Sequence, residues 1–225
     1  MRERGEFMVR VDAQFDQNEL KKLTNALKDM PKECKSGLVS AVNKSVKTTN
    51  TAMQKGVTQR YNIKKQSLTN GDFESASSSK LITVHQATKS SLNADILIKS
   101  HRLSFNVKRG MVSPITPKSH KGKTMKQIKR MSLPKVKVLK GKSKAFKGGF
   151  IATAVTTNEK GEKKPTTGLF SRDKSSGILK FHRTLSVSHM VRQKQIAEAT
   201  QKAAKEALTK NVAHEIEYRL QKVSK

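Results

Sequence analysis

Gly122-Lys123-Thr124 and Gly141-Lys142-Ser143 are the two places where this chain spells something close to phosphate chemistry. A phosphate-cradling loop needs another glycine five residues before the Gly-Lys pair, so that backbone amides can wrap the phosphates. Those positions are Pro117 and Val136, and neither fragment qualifies. The 6 histidines are scattered, with no pair at i, i+4 to set two imidazoles on one helical face; His182 and His189 are the closest, across an expected strand-to-helix junction. Glu215 and Glu217 face different sides of an expected helix, which leaves a paired acid and base without a home. Cys34, the one cysteine, permits neither an intramolecular disulfide nor a multi-cysteine metal site. At an apolar helix position it reads as a buried, inert thiol, and it fits assembly in a reducing cytoplasm. These residues imply no enzyme, no cofactor and no metal.

Charge is the stronger chemical statement. Lys and Arg number 47 against 17 Asp and Glu, a formal net charge of +30. Such a surface repels itself unless it meets nucleic acid or an acidic protein. No Asp or Glu occurs between Asp95 and Glu159. Inside that interval Lys118, Lys121, Lys123, Lys126, Lys129, Arg130 and Lys135 are candidate contacts to DNA or another polyanion. Lysine dominates the block and aromatics are nearly absent, which argues against base stacking or base reading and for backbone phosphate or acidic protein. The bland alternative is a solvated charge run that keeps a loop soluble.

The elements that must carry these residues are thinly apolar. Hydrophobic residues are 34% and aromatics 4% of 225 residues, against a usual apolar share of about 45–50%. One domain with loose parts, or a subunit that completes its burial against copies of itself, follows. No apolar run reaches the length of a spanning helix and no signal-peptide core follows the charged start, so a soluble protein without a membrane partner is expected.

Phe7 to Phe15 alternates as a half-buried strand. Asp16 with Glu19 offers a capping box for a short helix ending at Met30-Pro31, and Cys34, Leu38, Val42, Val46, Met53 and Val57 predict a second helix to about Arg60. A short turn or helix surrounds Gln66 to Leu68, and Asn70 to Lys80 reads as a linker. Segments 80–86, 92–100 and 103–108 alternate as three strands of an antiparallel meander, followed by a mobile basic loop over 113–135. Gly177 to Val187 gives a strand, with either Ile178, Lys180, His182 and Thr184 or Leu179, Phe181, Arg183 and Leu185 facing the core. Ser188 caps a last helix over 189–223, striped by Ile196, Ala199, Ala203, Ala207, Val212, Ile216 and Leu220 with Ala204 and Leu208 beside them. The expectation is a single α+β domain over 1–225: N-terminal strand and helices over 7–69, an antiparallel β-sheet over 80–188 packed against those helices and the long C-terminal helix, and a basic flexible loop.

Between the loop and the last helix lies a hairpin. Phe150-Ile151-Ala152-Thr153-Ala154-Val155 is rich in β-branched and apolar residues, Asn158 to Glu162 is a polar turn, and Gly168-Leu169-Phe170-Ser171-Arg172 returns alongside. Gly148, Gly149 and Gly168 beside large aromatics mark close approach or a bulge. Phe150, Ile151, Leu169 and Phe170 are its expected buried residues. Its apolar run holds no catalytic group, and its chemistry looks like assembly.

A basic strand ending Lys140-Gly141, then Gly148-Gly149-Phe150-Ile151-Ala152, a variable loop and Gly168-Leu169-Phe170-Ser171-Arg172 resembles the minor tail protein Z family of tailed phages, the tail completion proteins. Ala41-Val42-Asn43 and the helix exit Tyr61-Asn62-Ile63-Lys64-Lys65 are similar too, and the element order matches over most of the chain. The resemblance implies a virion component at the head-proximal end of a long tail, assembled in the host cytoplasm and needed for the tail to join a DNA-filled head. Implied partners are further copies of itself in a ring, sixfold if it follows long-tail symmetry, the tail tube or terminator and head-tail connector proteins, and the phage DNA end. The family's basic loop before the hairpin can be arginine-rich; here it is lysine-rich. The rival expectation from charge alone is a nucleic-acid-binding protein outside virions, such as a ribosome-associated one.

Overall fold

The computed structural model describes residues 8–9, 31–69, 81–105, 110–113, 133–157, 163–173 and 175–223. It is an α+β protein with antiparallel sheets and a long C-terminal helix. In chain order the elements are β1 (Met8–Val9), α1 (Pro31–Arg60), α2 (Lys65–Thr69), β2 (Ile82–His85), β3 (Asp95–Ile98), β4 (Val112–Ser113), β5 (Lys135–Val136), β6 (Lys144–Ala145), β7 (Gly149–Thr157), β8 (Lys163–Arg172), β9 (Leu179–His182), α3 (Val187–Val191) and α4 (Lys194–Val223). The first expected helix, the linker and most of the basic loop lie outside the described residues. The chain resolves into two compact units: Met1–Gly56 with Ile82–Lys99 and Val191–Lys225, and Val57–Leu81 with Ser100–Met190. Each unit draws on separated stretches, so the division cuts across the sequential segments 7–69, 80–188 and 189–223.

In the first unit, α1 and α4 run antiparallel. Gly37 lies against Arg219 and Gly56 against Ile196, while Lys44 meets Glu215 and Ser45 meets Asn211 between them. The buried residues of the two helices mix hydroxyls with apolar groups: Ala41, Ser45, Thr49 and Met53 on α1 and Ile196, Thr200, Ala204, Leu208 and Val212 on α4. Burying a hydroxyl is costly unless it is bonded. Ser45 donates to the Ala41 carbonyl at 2.7 Å, Thr49 to Ser45 at 2.8 Å and Thr200 to Ile196 at 2.7 Å. Each is satisfied within its own helix, which lets polar residues line a close contact. The expected α4 stripe is therefore rotated by about one residue: Ala199 is exposed and Ala203 and Ala207 are half-buried. Ala41, Leu208 and Val212 form an apolar cluster with Val42 and Ile216.

This unit's sheet has the order β1-β3-β2, with Val9 and Val84 flanking Ile96. Asn43 on α1 fixes the end of β2 by receiving the Ala87 amide at 2.8 Å and donating to its carbonyl at 3.1 Å. Both flanks of β3 are thus occupied. The expected meander neighbour, 103–108, is described only as far as Phe105, and that part pairs elsewhere: in the second unit Thr184 donates to the Leu103 carbonyl at 2.7 Å, and Ser104 bridges Arg183.

The second unit carries two more three-stranded sheets, β4-β5-β6 and β7-β8-β9. Its interior includes Tyr61, Ile63, Leu68, Leu103, Met111, Val112, Leu169, Phe170 and Val187. The helix start after β9 is capped by Ser186 and not by Ser188: the Ser186 hydroxyl receives the His189 amide at 3.2 Å and shares a 2.9 Å bond with the Ser188 hydroxyl. Ser188 is already inside α3, two residues past the cap. The helical run then breaks at Arg192 and Gln193, and the Gln193 carbonyl receives both Ile196 and Ala197 amides at 2.9 Å to begin α4.

Candidate polyanion-binding surface

Positive charge is concentrated in the second unit. Its segments carry 26 Lys and Arg against 5 Asp and Glu, a formal +21, while those of the first unit carry 21 against 12, a formal +9. Lys118, Lys121, Lys123, Lys126, Lys129 and Arg130 lie outside the described residues; Lys135 is exposed at the start of β5. There it pairs with Ser113 on one side and Ala145 on the other, so Lys135 stands on the central strand of a small sheet.

The hairpin residues are brought together as expected from their spacing. Gly149 to Ala152 pair in register with Ser171 to Gly168, placing Phe150 opposite Phe170 and Ile151 opposite Leu169. Leu169 and Phe170, on the central strand, are buried. Phe150 and Ile151 are only half-buried, because β7 is an edge strand with one flank unpaired. The two glycines are sites of close approach by rings: Phe146 fills the side-chain space of Gly149, and Phe181 that of Gly168. Gly148 has φ +73°, which a side chain would strain. Phe150, Phe170 and Phe181 continue as a ladder, with ring centroids 6.4 and 5.0 Å apart.

One contact in this sheet escapes a search by sequence spacing. The Ser171 hydroxyl lies 2.7 Å from His182 Nε2, and the His182 ring meets the Phe146 ring edge-on at 4.7 Å. Only the strand register brings them together, since Ser171 pairs directly with Lys180 and His182 with Leu169. Burial, then the nearby Lys180 ammonium, pushes the His182 pKa below its ordinary 6.5, so the ring is neutral at pH 7. A nucleophilic triad also needs a carboxylate behind the imidazole. The nearby Asp173 instead receives Ser175 and Ser176 in an exposed turn, and the Ser175 hydroxyl leads the bonds that lower its pKa to about 2.

Glu215 and Glu217 do separate to different faces: Glu215 is buried and Glu217 exposed. Glu215 Oε1 receives Lys44 at 2.7 Å and Ser40 at 2.9 Å, which makes it a tie between helices. Cys34 lies within α1, but its side chain is outside the described residues. Among the described residues no group of three or more His, Cys, Asp or Glu could hold a metal ion, and no helix is long and apolar enough to cross a membrane. Comparison with family models, curated proteins and solved structures finds no match for the chain.

Proposed function

We propose that this chain is a structural, non-enzymatic virion protein, a tail completion protein at the head-proximal end of a long phage tail, whose basic surface faces the DNA end. The observation that carries the reading is the pairing of the two segments on which the resemblance rests: Gly149 to Ala152 and Gly168 to Ser171 are register partners packed through glycine–ring contacts. Residues far apart in the chain that spell a family's motif are then one structural unit. The formal +21 of the second unit supports the polyanion half of the proposal. Ring formation by copies of the chain, with the tail tube or terminator and the connector as neighbours, follows from the same reading.

The direct test is to assemble particles without this protein and view them by electron microscopy. The expected result is filled heads and full-length tails that stay apart until the purified protein is added. Normal joining without it would overturn the assignment. The same charge also supports a nucleic-acid-binding protein outside virions. Recovery of the protein with ribosomes or cellular nucleic acid, and its absence from purified virions, would favour that reading.

A further inference from the structure

The hairpin sheet guards one of its flanks against strand addition and leaves the other without a guard. β9 pairs with β8 only over residues 169–172, so the outer part of the β7–β8 hairpin extends beyond its reach. On β8 that outer part carries Lys163, Lys164 and Pro165, the charges and the missing amide that discourage a further strand from adding. β7 has none of these devices. Its 9 residues, Gly149–Thr157, include no charged residue and no proline, in a chain that is 28% charged. Its register with β8 runs unbroken from Gly149 opposite Ser171 to Thr157 opposite Lys163, so no bulge bends it away. Among the described residues no strand occupies its outer flank. A long, uncharged edge of this kind is a template for another strand.

The order of residues on β7 says which strand fits. Read outward from Thr153, Ala152 answers Ala154 and Ile151 answers Val155, so residues 151–155 are palindromic in residue type. Laid antiparallel on its own copy about Thr153, the strand sets Ile151 of one copy against Val155 of the other, and Thr153 against Thr153. Strand alternation puts these three residues on one face of the sheet. Thr153 is exposed there and Val155 is 66% exposed. β-branched and Thr–Thr pairs are favourable cross-strand neighbours, and this register opposes no like charges. An acidic partner strand would find no cation on β7 to meet. A patch that is complementary to itself is the requirement for a two-fold contact.

We propose that β7 is a dimerisation edge: two copies of this chain pair β7 with β7, antiparallel about Thr153, and join their β7-β8-β9 sheets into one. The proposal goes beyond the tail-completion reading and does not rest on it, because a two-fold contact is separate from the head-to-tail contacts that close a ring. The formal +30 on each copy opposes association. Dilute protein at low salt is therefore monomeric, and the dimer grows as the screening length shortens from about 30 Å at 0.01 M salt to about 3 Å at 1 M. Polyanion binding has the opposite salt dependence.

The test is sedimentation equilibrium of the nuclease-treated full chain over a range of protein and salt concentrations. The expected result is a monomer–dimer equilibrium that moves toward dimer with salt. Thr153→Lys sets two like charges face to face and weakens dimerisation by about tenfold or more, and Thr153→Asp does the same. Mixing the two variants restores association as a heterodimer, which only contact of residue 153 with its own counterpart allows. Because a substitution in the strand could disturb the fold, both variants are checked by thermal melts, and hydrogen exchange of wild-type protein is followed at low and high concentration. β7 amides should exchange more slowly at high concentration, with β2 amides unchanged. A monomer at every salt and concentration, a folded Thr153→Lys variant that dimerises like wild type, a mixture of the two folded variants that stays dissociated, or β7 exchange that ignores concentration would each overturn the proposal.

Discussion

The ring of Phe181 occupies the space that a side chain on Gly168 would need, and the Phe105 carbonyl lies 3.4 Å from the same point. Neither neighbour can retreat freely. Phe181 is held in the ladder with Phe170, and the Phe105 carbonyl belongs to backbone. Gly168→Ala should therefore destabilise the protein by about 1–3 kcal/mol, the usual cost of overpacking. Urea unfolding measures this, and a change within about 0.5 kcal/mol, typical of neutral surface positions, would show that the ring moves aside.

Phe150 and Phe170 are opposite one another in the register but differ in burial, which gives an internal comparison. Phe170→Ala should cost about 3–5 kcal/mol, as expected for emptying a buried aromatic site. Phe150→Ala should cost clearly less, because its ring is half-exposed on an edge strand. Equal losses in thermal or urea melts would mean that the β7 flank is covered in solution.

Much of this architecture is legible in the residues. The apolar four-residue spacing from Leu38 to Val57 predicts a helix from Pro31 to about Arg60, and the structure has α1 over that range. The hairpin follows from its β-branched run and its glycines. Burial on the helices is less legible, since hydropathy marks Ala199 and overlooks Thr200, whose hydroxyl becomes buriable only by bonding to the Ile196 carbonyl. Strand neighbours are also hidden: nothing local to 103–108 reveals that β1 already occupies the second flank of β3. Of the candidate surface, the excess of lysine is plain in sequence. The alternation of Lys135 with Lys137 is a period-two strand signal, whereas the same spacing over Lys140 and Lys142 falls on a turn at Gly141. The connection of segment 138–140 to Arg60 and Asn62 comes only from long-range hydrogen bonds.

His182 offers a titration test of the sheet's local field. Burial lowers its pKa first and the Lys180 charge lowers it further, so folding favours the neutral ring. The associated stability is fully present above the unfolded value near 6.5 and is lost as pH falls through the lower folded value. Proton NMR of wild-type protein should give a midpoint below 6.5, and Lys180→Gln should raise it while leaving it below 6.5, because burial persists. A wild-type midpoint at or above 6.5, or no movement in the variant, would show that the ring is hydrated and away from Lys180.

Glu215 should make the α1–α4 pair sensitive to acid. Its carboxyl is held below its ordinary 4.5 mainly by the Lys44 hydrogen bond, with further help from Ser40 and from the Lys44 and Arg219 charges, while burial opposes the shift. A carboxylate whose folded pKa is depressed contributes stability above its unfolded value and loses it as pH falls through the folded one. At pH 7, Glu215→Gln should lose a charge-assisted interaction worth about 1.5–3 kcal/mol, toward the lower end because the Lys44 side chain is 53% exposed and screened by water. The gap between wild type and variant should then narrow as pH drops below 4.5, since the wild-type carboxyl itself becomes neutral. Glu217→Gln, on the exposed face, should stay within about 0.5 kcal/mol of wild type. Urea melts across pH 3 to 7 on the three proteins decide the matter: a gap for Glu215→Gln that stays constant with pH would mean the loss comes from altered packing and not from the carboxylate's charge.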